Sequence, residues 1–332
     1  MTMLEQPVAG PAAWRGEDLQ DSDEWIVQLN EHELAEIERA LASVRERKTD
    51  EIDELPLPGL KERFRGVFDT LQEGRGFVLV RGLPVPERFD EDEAARVFWG
   101  LGRCLGTPVS QNRRGELIGH LQNIASPGAF ERRYATNEAT AFHSDRTDFV
   151  GLMCLAPARI GGESLLSSTM EAYNIVLREH PEYLPILYKY FAKDLMGDHA
   201  PGQQGWESLP LFCYEDGYLS GTTSTAWLVS AMRFADVDRL TADEMSCFIF
   251  LESLPKRPGM ALSMRLQPGD IQFVNNFVLT HTRTSFVDDL DDPAHRRHLL
   301  RLWMSHFEGG RPICDALARG RTGIQPLATA GV

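Results

Sequence analysis

Residues 268–303, PGDIQFVNNFVLTHTRTSFVDDLDDPAHRRHLLRLW, decide how the rest of the chain is read. Pro268-Gly269-Asp270 is a turn signal, followed by an apolar strand over 271–274. A second apolar run, 277–279, leads into His281. An acidic, Pro-containing loop (288–293) then precedes a strand over 297–303. Residues two apart on a strand share a face, so Arg297, Leu299, Arg301 and Trp303 point one way and His298, Leu300 and Leu302 the other. Both faces carry apolar residues, so both are expected to be covered. Two guanidiniums on a covered face keep their charge and need anionic partners. Asp288, Asp289, Asp291 and Asp292 just upstream could supply them; the other reading is a bound carboxylate ligand.

Working outward, 332 residues at 42% hydrophobic content are enough for a sizeable core. The formal net charge of −15 disfavours phosphate backbones and anionic headgroups, so neither nucleic acid nor a membrane surface is expected as a partner. Nothing reaches the length of a membrane span, and the first twenty residues lack a basic region and an apolar core of the secretory kind. The five cysteines (104, 154, 213, 247, 314) are scattered, with no CxxC pair, which suits structural thiols in a reducing cytoplasm. No oligomeric state follows from the sequence.

Residues 1–24, rich in Gly, Ala, Pro and acids, read as a loosely held lead-in. Asn30 and Glu33 form a capping-box pattern, opening a helix with apolar residues at 34, 37, 41 and 44. Further helices are expected over 59–74, 91–101, 170–179, 182–191, 225–234 and 241–252. Strands are expected over 77–80, 117–124, 150–156 and 163–168, with a turn at Gly161-Gly162 and a hairpin over 212–220. The Gly- and Pro-rich stretch 194–209 reads as a candidate active-site loop. Together with 122–140 and the 212–222 hairpin it is expected to wall the pocket. Scattered strands with inserted helices favour a mainly β fold with helical decoration, an antiparallel sandwich or barrel. Strict strand–helix alternation and a phosphate loop are missing. The expected division is one domain over 25–310 and a C-terminal tail over 311–332.

Nine histidines invite a search for metal sites. Two imidazoles and a carboxylate leave coordination positions open, as non-haem Fe(II) oxygenases require, and H-x-D/E places two such ligands on one side of an extended segment. Chance alone supplies roughly one H-x-D/E in a chain of this composition. Three occur: His143/Asp145, His180/Glu182 and His306/Glu308. The second sits in a turn between helices and the third runs into Gly309-Gly310, so both are expected in solvent. Only His143/Asp145 lies between an apolar approach and a strongly apolar strand. The remaining imidazole must come from elsewhere. His281 follows a buried strand, where a lone histidine is more often a satisfied core residue than a ligand. His298 competes but faces away from the arginines, His295 belongs to the acidic loop, and His120 is placed to line a pocket.

FHSD (142–145), GGESLLSS (161–168), PGDIQFVNN (268–276) and RRHLLRLW (296–303) together resemble the taurine dioxygenase and clavaminate synthase superfamily of Fe(II)- and 2-oxoglutarate-dependent oxygenases. The motifs occur in the family's order over about residues 75–305. The resemblance implies a distorted double-stranded β-helix, or jelly roll, with His143, Asp145 and His281 ligating Fe(II). It implies that Ser164 donates to a 2-oxoglutarate carboxylate, where many relatives carry Thr, and that Arg297 grips the distal carboxylate as a bidentate fork. Arg301 resembles the arginine that holds either the cosubstrate or an acidic substrate. The implied reaction couples dioxygen and oxidative decarboxylation of 2-oxoglutarate, to succinate and CO2, to oxidation of an unactivated substrate C–H. Halogenases of this kind replace the carboxylate ligand with a small residue; Asp145 therefore favours hydroxylation. Arg301, Arg146 and Arg132 point to a substrate carboxylate, hence an amino acid or other small acid, although such arginines are more often surface residues. Two rival readings are a jelly-roll metal enzyme without 2-oxoglutarate, such as a cupin-like isomerase or hydrolase, and a non-catalytic binding module.

Overall fold

Alternation along one short strand, Phe77–Arg81, already divides the core in two. Val78 and Val80 pack outward with Ile271, Phe273, Phe149, Met153, Leu300 and Leu302 under the helices Glu31–Ser43, Pro58–Gln72 and Glu91–Arg103. Phe77 and Leu79 pack inward with Val150, Leu152, Val274, Leu299 and Trp303 against Leu166, Leu262 and Leu279 of a second sheet. Strands buried on both faces read as continuous apolar runs, which is why 77–80 and 150–156 are apolar throughout. The computed structural model describes residues 2–326 apart from 45–46, 48–53, 124–135, 200–201, 290 and 308.

The larger sheet runs, in spatial order, Ile26–Gln28, Phe77–Arg81, Ile271–Asn275, Phe149–Ala156, His298–Ser305 and Thr107–Val109, and Ile118–Gln122 also pairs with His298–Ser305. All pairings in it are antiparallel except that of Ile26–Gln28 with Phe77–Arg81. The smaller sheet places Ser164–Ser168 between Ala261–Met264 and Leu279–Arg283. These facing sheets give the expected mainly β, jelly-roll architecture with helical decoration; they do not close into a barrel.

Several boundaries differ from the sequence reading. Asn275 Oδ1 accepts the Phe277 N–H at 2.9 Å, a local turn that ends one strand and delays the next to Leu279–Arg283. His281 therefore sits inside a strand rather than beyond one. The expected helix 182–191 stops at Leu187, and Tyr190–Asp194 instead pairs with Trp206–Pro210 as a hairpin. The helical spacing of Leu184 and Leu187 continues to Phe191, but cross-strand pairing overrides it. Gly161 and Gly162 both have positive φ, and a Cβ on Gly161 would lie 2.1 Å from the Ser285 carbonyl oxygen. Only glycine turns the chain there. In the lead-in, Trp14 and Leu19 are buried and the Trp14 indole donates to the Arg75 carbonyl at 2.9 Å. In the tail, Arg311 is buried and Arg321 pairs with Asp148 at 2.8 Å. Among the described residues no helix is long and apolar enough to cross a membrane.

Phe98 joins the helical layer to the larger sheet: it is fully buried, meets the Phe273 ring at 6.3 Å, and occupies the space that a side chain at Gly151 would need. Phe98→Ala is expected to cost about 3–5 kcal/mol in denaturant unfolding. A loss below about 1 kcal/mol would mean that the helices are not joined to the sheet through this ring.

Candidate metal centre and cavity

Backbone pairing brings the two sequence-distant histidines together. The His143 N–H donates to the His281 carbonyl at 3.1 Å and the His281 N–H returns to the His143 carbonyl at 2.9 Å, an isolated antiparallel bridge at the edge of the smaller sheet. Directly opposed residues present their side chains on one face, and the two rings lie 4.5 Å apart. The His143 Nδ1–H donates to the Ala141 carbonyl at 2.9 Å, which leaves Nε2 with its lone pair. That Nε2 is 3.9 Å from Asp145 Oδ1, and the His281 Nε2 is 3.8 Å from Asp145 Oδ2. The ligand atoms of the three residues all lie within 4.8 Å of one another.

Burial, then the neighbouring His143, push the His281 imidazole down to about 3. It is neutral at physiological pH, the form that coordinates metal. Burial alone would raise the Asp145 carboxyl, but Arg301, both histidines and the Trp303 N–H outweigh it and hold it below the usual carboxylate range. Trp303 Nε1 donates to Asp145 Oδ2 at 3.0 Å, and Arg301 Nη1 stands 3.6 Å from the same oxygen. Arg301 Nε in turn donates to Gln111 Oε1 at 2.6 Å. Asn276, fully buried, accepts the Asp145 N–H at 3.1 Å through Oδ1 and donates to the Thr147 carbonyl at 3.0 Å. It is the clamp that sets the carboxylate-bearing segment.

These residues open into a cavity of about 600 Å³ whose lining includes Ser164, Arg297, Leu299, Arg301 and Trp303, the face expected of the last strand. The Arg297 guanidinium does not pair with the acidic loop: Asp288 accepts only its backbone N–H, at 2.8 Å. The side chain stacks over Phe286 at 5.2 Å and finds no carboxylate within 4 Å among the described residues. Burial, with the nearby Arg283, pushes it down to about 10. The Ser164 hydroxyl donates to Gln272 Oε1 at 3.0 Å. The cavity also takes in Arg146 and Lys193; burial lowers the Lys193 ammonium to about 8.

Other expectations fare differently. His180 pairs with Glu182 at 2.8 Å and His295 with Asp292 at 2.8 Å, both in solvent. His306 packs edge-on to Phe68, while Glu308 and Arg132 lie outside the described residues. His120 does not line the cavity: Leu121 does, and alternation turns His120 outward onto His298 at 2.8 Å, beside Glu91. Of the expected walls, Asp194, Leu195, Met196 and Asp198 contribute, the hairpin Phe212–Glu215/Tyr218–Gly221 does not, and Ala226, Trp227 and Ile324 were not foreseen. Asn276, Gln111 and Lys193 also escaped the sequence reading. Lys193 falls just past the expected helix 182–191, where no strand was expected; Asn276 was in view within the NN dipeptide.

Residues 44–303 match the model of the taurine catabolism dioxygenase TauD, TfdA family. The chain belongs to that family. A relative, FR-33289 synthase of Streptomyces rubellomurinus, is 31% identical over 98% of this chain and 98% of its own. Among solved structures, asparagine oxygenase with Fe(II), 3-hydroxyasparagine and succinate superimposes with a TM-score of 0.66 at 18% identity, covering 85% of this chain and 94% of that one. The non-haem iron oxygenase OrfP with Fe and alpha-ketoglutaric acid gives 0.60 at 15% identity, covering 84% and 94%. At that identity the two structures speak for the fold. Family membership makes the chain an Fe(II)- and 2-oxoglutarate-dependent oxygenase, the class that the motif resemblance implied.

Asn276→Ala removes the partner of the Asp145 N–H and of the Thr147 carbonyl. It is expected to cost about 2–4 kcal/mol of stability, as two buried polar groups lose their partners. The folded variant should also bind Fe(II) more weakly, as measured by equilibrium dialysis. Unchanged Fe(II) binding would show that the clamp serves the fold alone.

Proposed function

We propose that His143, Asp145 and His281 hold Fe(II), that Arg297 and Ser164 anchor 2-oxoglutarate, and that the enzyme hydroxylates an unactivated C–H of a small molecule, an amino acid or other small acid. The observation carrying this reading is the cavity that two imidazole Nε2 atoms, one carboxylate and an unpaired, buried guanidinium share. The donor set fits the metal: two neutral nitrogens and one anionic oxygen suit Fe(II) and leave adjacent positions open. The Arg297 guanidinium fits the distal carboxylate of the cosubstrate, since a buried cation needs an anion and none of the described residues offers it one.

When bound, iron and 2-oxoglutarate supply the oxidising chemistry, with succinate and CO2 released; the chain supplies geometry and exclusion of water. The Asn276 clamp and the Trp303 indole fix the carboxylate, and the Ala141 carbonyl fixes the His143 tautomer. Arg301 braces the iron-binding carboxylate and is in turn oriented by Gln111. Ser164 lines the cavity with a hydroxyl able to leave Gln272 for a carboxylate. No general base is needed.

Adding Fe(II) and then 2-oxoglutarate to the protein without oxygen should produce a visible charge-transfer band. In Arg297→Met the concentration of 2-oxoglutarate needed for that band should rise at least about tenfold, roughly 1.4 kcal/mol. An unchanged requirement would move the anchor to Arg301. Asp145→Ala should abolish substrate-coupled succinate release, and full release in that variant would overturn the ligand assignment.

A further inference from the structure

A second buried cation in the cavity has no counterpart in the machinery above. Lys193 lies on the strand Tyr190–Asp194, is only 7% exposed, and lines the cavity. Its cross-strand neighbour is Glu207, the natural acidic partner. That carboxylate is taken instead by Arg146, whose Nη2 donates to Glu207 Oε2 at 2.9 Å. The acids lining the cavity do not replace it. Asp194 is held by Arg233 at 2.7 Å and by Ser230, Glu252 accepts from Thr225, and Asp145 is opposed by Arg301 and committed to the metal. Among the described residues Lys193 makes no hydrogen bond and no ion pair. The Arg146 Nε–H beside this group is buried and likewise without an acceptor.

A buried ammonium and a buried guanidinium N–H, with one carboxylate nearby that Arg146 occupies, leave one positive charge uncompensated. Arg297 cannot explain them, since it stands just before the strand His298–Ser305 and is assigned to the cosubstrate. We propose that Lys193, assisted by Arg146, forms the subsite that receives an oxyanion of the substrate. This deepens the reading of the preceding section and rests on it: the substrate is an acid, bound by its charged group at Lys193 with its carbon skeleton lying toward the iron ligands. Trp227, Leu195 and Met196 provide the apolar lining for that skeleton. The charge is fixed by the site; planar carboxylate and tetrahedral sulfonate or phosphonate share the required chemistry.

The test uses the anaerobic Fe(II)·2-oxoglutarate complex of the full chain, so that Arg297 is already occupied. Acetate, methanesulfonate, methylphosphonate and, as the neutral control, acetamide are added at equal ionic strength and thermal unfolding is recorded. At least one of the three anions should raise Tm above acetamide in the wild type, and the best of them gives the shape of the headgroup. Lys193→Met should lose that rise and Lys193→Arg should keep it. The ligand-free Lys193→Met protein should unfold at the wild-type temperature or above, because the charge has no partner to lose. Anions no better than acetamide, a rise that persists in Lys193→Met, or a ligand-free variant that melts lower would each overturn the proposal. If the visible band fails to form before any anion is added, the fault lies instead with the iron and 2-oxoglutarate reading.

Discussion

Two reciprocal backbone hydrogen bonds between His143 and His281 carry the active-site design. The residues are far apart in sequence, and no side-chain preference alone would bring their rings within 4.5 Å. A β-bridge does so cheaply, because opposed residues on antiparallel segments share a face by construction. His281 is fixed at the centre of Leu279–Arg283, an outer strand of the three-stranded sheet, and His143 bridges to its free edge. Asp145 follows two residues later on the extended segment, and Asn276 holds it there from the other sheet. The triad is thus built on backbone geometry, with side-chain bonds making the final adjustments.

Among the described residues, the cations that line the cavity are held in different ways: some by a carboxylate, Arg283 by the backbone carbonyls of Thr136, Glu138 and Thr284, and some by no protein acid. Arg301 is set against Asp145, and Arg146 against Glu207. Among the described residues, Arg297 and Lys193 are buried and pair with no carboxylate. In a medium of low polarity such groups are costly, and they persist only where a bound partner compensates them. Although the chain carries a net charge of −15, five cations, Arg146, Lys193, Arg283, Arg297 and Arg301, line the cavity beside four acids, Asp145, Asp194, Asp198 and Glu252.

Much of this was legible in the sequence because strand periodicity is simple. Arg297, Leu299, Arg301 and Trp303 were placed on one face by alternation, and all four line the cavity. The H-x-D spacing at 143–145 and the turn at Gly161-Gly162 were equally local features. What failed to show were partners chosen by tertiary pairing. The Leu184–Phe191 spacing suggested a helix, yet pairing with 206–210 made a strand of 190–194 and turned Lys193 inward. His281 was placed beyond its strand because the Asn275 turn shifts the boundary. The choice among His281, His298, His295 and His120 could not be made from burial patterns; the motif resemblance made it, and the bridge explains it.

Crystals of the protein grown with Fe(II) and 2-oxoglutarate, with diffraction recorded at the iron absorption edge, test the central claim most directly. The account predicts one strong anomalous peak bonded to Nε2 of His143, Nε2 of His281 and the Asp145 carboxylate, with Arg297 paired to the far carboxylate of the cosubstrate. Iron found elsewhere, for example between Glu91, His120 and His298, or an Arg297 turned away from 2-oxoglutarate, would contradict it.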